Sequence, residues 1–109
     1  MPTSYTIVSI DIHCNKLLSN IHPVYRVYLD DQLIIERQFW PDTPDYFIQE
    51  HLTLKDDNNQ HCVSVKNVFA DRGNIEIHGV GFFDGNSRQP LNYKAEINNN
   101  QVKFNLPKR

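Results

Sequence analysis

The run from residue 24 to residue 65 alternates apolar and polar side chains with a period of two. It reads VYRVYLDDQLIIERQF, a loop WPDTPD, YFIQEHLTL, a turn KDDNN, then QHCVSV. Successive side chains of a strand point to opposite faces, so this pattern predicts four strands and three reversals, with one face of each strand buried. Tyr25, Val27 and Leu29 share a face, as do Leu33, Ile35 and Phe39, then Ile48, Leu52 and Leu54, then Val63 and Val65. A three-residue loop of Asp30, Asp31 and Gln32 pairs Leu29 with Leu33 and Val27 with Ile35.

Two charges fall on the apolar side of this pattern. Arg37 shares parity with Ile35 and Phe39, and Glu50 shares parity with Ile48 and Leu52. An inward charge needs a partner, because leaving it alone in an apolar interior costs several kcal/mol. The expectation is that Arg37 and Glu50 face each other, with the guanidinium fork on the carboxylate, as a partly buried pair that fixes register. The functional counterpart is a ligand-binding carboxylate in a cleft.

With 109 residues, the chain is expected to form one domain spanning 1–109 with a single core. Hydrophobic residues make up 39% and charged ones 22%, which suits a sheet protein with one wet face. A formal net charge of −2 argues against nucleic acid and anionic membrane as partners. No apolar run approaches the length of a membrane helix. MPTSYTIVSID lacks a basic segment and a signal-peptide core, which predicts a cytoplasmic chain at synthesis. A virion component would look the same. Cys14 and Cys62 are the two cysteines. They are expected as free thiols, with a bridge left open if their strands adjoin.

The rest of the chain continues the pattern. SYTIVSIDIH at 4–13 is a strand, and 14–23 is a connection in which Leu17 or Leu18 plugs a core edge. NIEIHGVGFF at 74–83 changes face partway: Ile75 and Ile77 share one parity, Val80 and Phe82 the other. Gly79 and Gly81 mark a bulge or bend at the change. Leu91, Tyr93, Ala95 and Ile97 alternate along one strand, and Val102, Phe104 and Leu106 along the next. A two-residue turn at Asn99 and Asn100 pairs Ile97 with Val102 and Ala95 with Phe104. Lys108 and Arg109 read as a charged tail. Seven to eight strands at this spacing predict an all-β, antiparallel β-sandwich with jelly-roll-like connections.

Chemistry is sparse. Histidine precedes cysteine at His13-Cys14 and His61-Cys62, but neighbours in a strand point apart and cannot enter one tetrahedral zinc site. His61 instead reads as a cap on the core beside the turn at 56–59. Acids gather in the reversals at Asp30-Asp31, Asp42 with Asp45, Asp56-Asp57 and Asp84, without the spacing of a calcium loop. No nucleophile elbow, phosphate loop or dinucleotide fingerprint is present, so no enzyme activity and no cofactor are expected. The loop from Trp40 to Tyr46 is the surface candidate. It carries the single tryptophan, Asp42, Asp45 and two prolines, with Phe47 next to Tyr46. Rings on a stiff loop stack on sugars or anchor a protein with little entropy lost, and the alternative is that Trp40 covers the sheet end. Tyr28 and Phe47 lie opposite their strands' cores and add an aromatic or dimer surface.

Tyr28, Asp30, Leu33, Glu36, Arg37, Trp40, Glu50 and His61, in YLDDQLIIERQFWP, YFIQEHLTL and HCVSV, resemble small uncharacterised proteins of marine phages and marine environmental sequences. The resemblance covers the central half of the chain. It implies a small sandwich of viral origin and carries no activity. The architecture is similar, by analogy of fold class alone, to carbohydrate-binding modules. The expected function is therefore a non-enzymatic binding or assembly module, a phage accessory or virion component, that contacts a protein partner or itself. The alternative is a carbohydrate-binding module using Trp40, Tyr46 and Phe47, with calcium as a companion ion.

Overall fold

The computed structural model describes residues 4–17, 22–39, 47–69 and 71–109. The period-two runs form nine strands: β1 (Tyr5–Leu17), β2 (Val24–Leu29), β3 (Gln32–Gln38), β4 (Phe47–Lys55), β5 (Gln60–Asn67), β6 (Gly73–Asp84), β7 (Pro90–Leu91), β8 (Ala95–Asn98) and β9 (Gln101–Asn105). They make two antiparallel sheets, ordered β4-β1-β6-β7 and β3-β2-β5-β9-β8. The fold is an all-β antiparallel sandwich, and no helix of the described residues is long and apolar enough to cross a membrane.

The inner face of each sheet is the apolar parity of its strands. Val8, Ile10 and Ile12 from β1, Leu52 from β4 and Ile75, Ile77 and Phe82 from β6 pack against Tyr25, Val27, Val63, Val65, Val102 and Phe104. Removing such side chains from water stabilises the fold by roughly 1.5–3 kcal/mol each, before chain entropy is set against it. Rings tie the layers together: Phe82 and Phe104 meet edge to face with centroids 5.3 Å apart.

Irregularities set the register. In β6, Asp11 stands opposite Gly79 and Ile12 opposite Ile77, so His78 is an extra residue. This bulge moves Val80 and Phe82 onto the face that Ile75 and Ile77 use, as the change of parity requires. Gly79 allows the close approach there, since a Cβ on it would lie 3.1 Å from the Asp11 carboxylate.

The reversal between β2 and β3 differs from expectation. It is a two-residue turn in which Asp30 and Asp31 have φ of 49° and 69°. Leu29 therefore faces Gln32, Tyr28 faces Leu33, and a bulge at Ile34 restores the Val27–Ile35 pair. Leu33 goes with Tyr28 to the outer face and is 49% exposed rather than buried. The Asn99-Asn100 turn carries positive φ at both residues, with Ile97 opposite Val102 and Ala95 opposite Phe104.

Two further differences concern strand ends. β1 continues to Leu17 because β6 is long enough to pair with it, up to Gly73. The expected connection thus begins later, and a plugging role for Leu17 or Leu18 falls outside the described side chains. The strand expected through 91–97 is two strands. Leu91 pairs with Phe82 in one sheet and Ala95 with Phe104 in the other, so residues 92–94 cross between the layers.

Candidate binding cleft at the β3–β4 seam

β3 and β4 are edge strands of different sheets, and one flank of the sandwich is the seam between them. Arg37 points inward from β3 opposite Tyr25, and Glu50 points inward from β4 opposite Ile10. The guanidinium takes the carboxylate as a fork: Nε lies 2.7 Å from Oε1, and Nη2 donates to Oε2 at 3.3 Å. The pair thus joins the two sheets rather than two neighbours in one. Its burial is lopsided, with the Glu50 side chain 4% exposed and that of Arg37 51%. The hydrogen bond to Glu50 holds the guanidinium pKa above its usual range, against the smaller opposing effect of burial.

Tyr25 lies fully buried behind the pair, opposite Arg37. Its hydroxyl is buried beside the Glu50 carboxylate and the Arg37 guanidinium. Burial, then the Glu50 charge, pushes the phenol well above its usual pKa, while Arg37 pulls the other way. Above the pair lies an open cleft of about 640 Å³ lined by Glu36, Arg37, Gln38, Ile48, Gln49 and Glu50. Carboxylate, guanidinium and carboxamide groups rim it, and Ile48 supplies an apolar wall. At the rim, Glu36 meets Arg26 at 3.1 Å and Gln49 donates to Asp11 at 3.0 Å, both at the solvent-exposed surface.

The sequence-predicted site residues divide accordingly. Arg37 and Glu50 are brought together. Trp40, Asp42, Asp45 and Tyr46 lie outside the described residues. Phe47 opens β4 with its backbone opposite His13, and its side chain is likewise outside the description. Tyr28 is half-buried on the outer face, with Lys66 Nζ 4.9 Å from its ring centre.

Other polar constellations escaped the sequence reading. His61 sits between the two acidic reversals: Nδ1 is 2.7 Å from Asp30 and Nε2 is 3.0 Å from Asp57. Asp30 also accepts from the Cys62 N–H at 2.9 Å. Burial depresses the imidazole, but the bonds to Asp30 and Asp57 outweigh it and raise the pKa overall. The bond from His61 brings Asp57 down to about 2. His61 is therefore a clasp between loops as well as a neighbour of the core ring Phe104, 6.1 Å away.

Arg109 corrects the expected charged tail. It donates to Asp56 at 3.0 Å, to Asp84 at 2.6 Å and to the Tyr5 carbonyl at 2.7 Å. Asp56 also accepts from Ser4 and Thr6, each at 2.6 Å. Its burial opposes ionisation, but these donors hold the carboxyl below its usual pKa. Residue spacing carries no signal for such a cluster, whose members come from four distant stretches. Cys14 and Cys62 lie in different sheets and are not bridged to each other. No group of metal-ligating side chains suited to an ion occurs among the described residues.

Fold and cleft together define an all-β sandwich with a polar site at an open seam. No family model, curated protein or solved structure matches the chain.

Proposed function

We propose that the chain is a non-enzymatic binding or assembly module that meets its partner at the β3–β4 seam. The observation that carries this reading is the half-exposed Arg37 guanidinium, held in place by the buried Glu50 at the floor of an open cleft. A guanidinium fixed in this way keeps its remaining N–H donors available and loses little side-chain entropy on contact. The partner is a protein or a second copy of the chain. The phage resemblance suggests an accessory or virion component as the setting.

A second reading is a carbohydrate module. It is favoured by the rim, where carboxylate, guanidinium and carboxamide groups offer the bidentate hydrogen bonding that sugar hydroxyls use. Sedimentation over a concentration series and a glycan array with the full chain test both readings. Self-association that weakens in Arg37→Lys and Trp40→Ala supports assembly. Glycan binding lost in the same variants supports the sugar reading. Self-association or glycan binding that ignores both substitutions overturns the placement at the seam.

A further inference from the structure

The two flanks of the sandwich differ in what they leave unbonded. At the β6 flank the protein's own side chains meet the strand. Asn67 Nδ2 donates to the Gly73 carbonyl at 2.6 Å, and the Asn100 carboxamide bonds the Ile75 carbonyl at 2.8 Å and the Ile77 N–H at 3.1 Å. At the β3–β4 seam both donors and acceptors stay open to the cleft.

The acceptors are two side-chain oxygens. Gln49 reaches Asp11 through its Nε2, and its Oε1 has no hydrogen bond among the described residues. Glu36 meets Arg26 through Oε1, and its Oε2 is free in the same sense. Both residues are exposed. The donors belong to Arg37. Glu50 takes two of the five N–H groups of its guanidinium. Even with a third turned to the Tyr25 hydroxyl beside it, two remain on a side chain that is half exposed. Ile48 adds an apolar surface to the same cleft.

This set of groups discriminates between ligands. An anion can use the Arg37 donors alone and would face the Glu36 and Gln49 oxygens. The lining holds the carboxylates of Glu36 and Glu50 against one guanidinium, and with Arg26 on Glu36 the site reaches neutrality at best. It therefore offers an anion no net attraction. A cation would face Arg37. A partner strand would meet two guarded edges: β3 and β4 each carry an inward charge, and β3 is bulged at Ile34, devices that discourage strand addition. A hydroxyl accepts and donates at once, so a neutral polyol satisfies donors and acceptors together.

We propose that the seam binds a neutral sugar through two adjacent hydroxyls. They accept from the remaining Arg37 N–H groups and donate to Glu36 Oε2 and Gln49 Oε1, with a C–H face of the ring against Ile48. The inference rests on the carbohydrate reading of this cleft and narrows it to uncharged sugars.

The test is an NMR titration of the labelled full chain with glucose, galactose and mannose, their uronic acids and their monodeoxy forms. A neutral sugar should shift the Arg37 Nε–H and the amides of 36–38 and 48–50, and its uronic acid should bind more weakly. At least one monodeoxy form, lacking a member of the hydroxyl pair, should lose about tenfold in affinity. The parent sugar should lose as much on Arg37→Lys, the loss expected for a hydrogen bond to a charged group. Gln49→Ala, at an exposed position, should lose about fivefold, as for a neutral hydrogen bond. Melting curves of both variants verify that the fold is kept. Uronic acids that bind as tightly as their parents, or monodeoxy sugars that all do so, overturn the inference and leave the carbohydrate reading standing. Affinity unchanged in both variants overturns it together with the placement at the seam. No seam shift with any neutral sugar also overturns it. If the glycan array is then blank as well, the carbohydrate reading falls with it, and seam amides that move with protein concentration alone assign the cleft to a second copy.

Discussion

Replacing Arg37 by methionine separates the two halves of the seam pair. The substitution keeps much of the aliphatic stem that packs along the cleft and removes the fork. It leaves the Glu50 carboxylate facing Ile10 and the Tyr25 ring with no cation beside it. Stranding a charge inside a protein costs about 3–5 kcal/mol when both partners are fully buried. Arg37 is 51% exposed, so water can reach part of the vacated space and lower that cost. The expected loss is about 2–3 kcal/mol. The reverse change, Glu50→Gln, leaves a guanidinium that water already solvates and a carboxamide that still accepts one bond. Its expected loss is about 1 kcal/mol, the net worth of a hydrogen bond. The double variant should be more stable than the sum of the two losses implies, because the stranded charge is gone. Urea unfolding of all four proteins at neutral pH, followed by circular dichroism, closes the cycle. For a domain of this size the larger loss corresponds to roughly 8–20 °C in melting temperature. If Arg37→Met costs less than Glu50→Gln, or the two losses simply add, the pair does not work as described.

Three further outcomes follow from the remaining polar clusters. The raised folded pKa of His61 means its contribution is complete below the free value near 6.5 and is lost as pH rises through the folded value. The depressed Asp57 acts in the opposite sense, present above the ordinary carboxylate range and lost as pH falls toward about 2. A histidine titration by NMR should place His61 above 6.5, and His61→Gln should flatten the alkaline limb of a stability–pH curve. Asn100→Gly keeps the positive-φ turn and deletes the carboxamide. It should cost about 1–3 kcal/mol and speed exchange of the Ile77 amide. Arg109→Gln strips Asp56 and Asp84 of their cation, and a loss of about 1.5–3 kcal/mol by thermal unfolding is expected.

Legibility tracked how local each determinant is. Alternation alone placed Val27, Ile35, Leu52 and Val63 inward, and all pack in or against the core. The Asn99-Asn100 hairpin was readable because two asparagines suffice for the turn. The bulge near Gly79 was readable because parity changes there. The inward parity of Arg37 and Glu50 was also visible, but the sheets to which their strands belong were not. Leu33 departs from its expected face because two aspartates form a tighter turn than a three-residue loop, and the bulge at Ile34 then absorbs the offset. The 91–97 run looked continuous because its alternation survives the crossing between layers. His61 and Arg109 owe their partners to the meeting of distant reversals, which no pattern in a single segment records.

The pairing of β1 also governs how the molecule assembles. β2–β3 and β8–β9 are hairpins that close over two residues, and they can form as soon as they leave the ribosome. β1 has no such neighbour: Tyr5 waits for Lys55, and Thr6 for Asp84. Its apolar, β-branched segment is thus without its first ladder partner, β4, until about half of the chain has been made, and without its second, β6, until later still. The nascent protein should be at its most aggregation-prone in that interval.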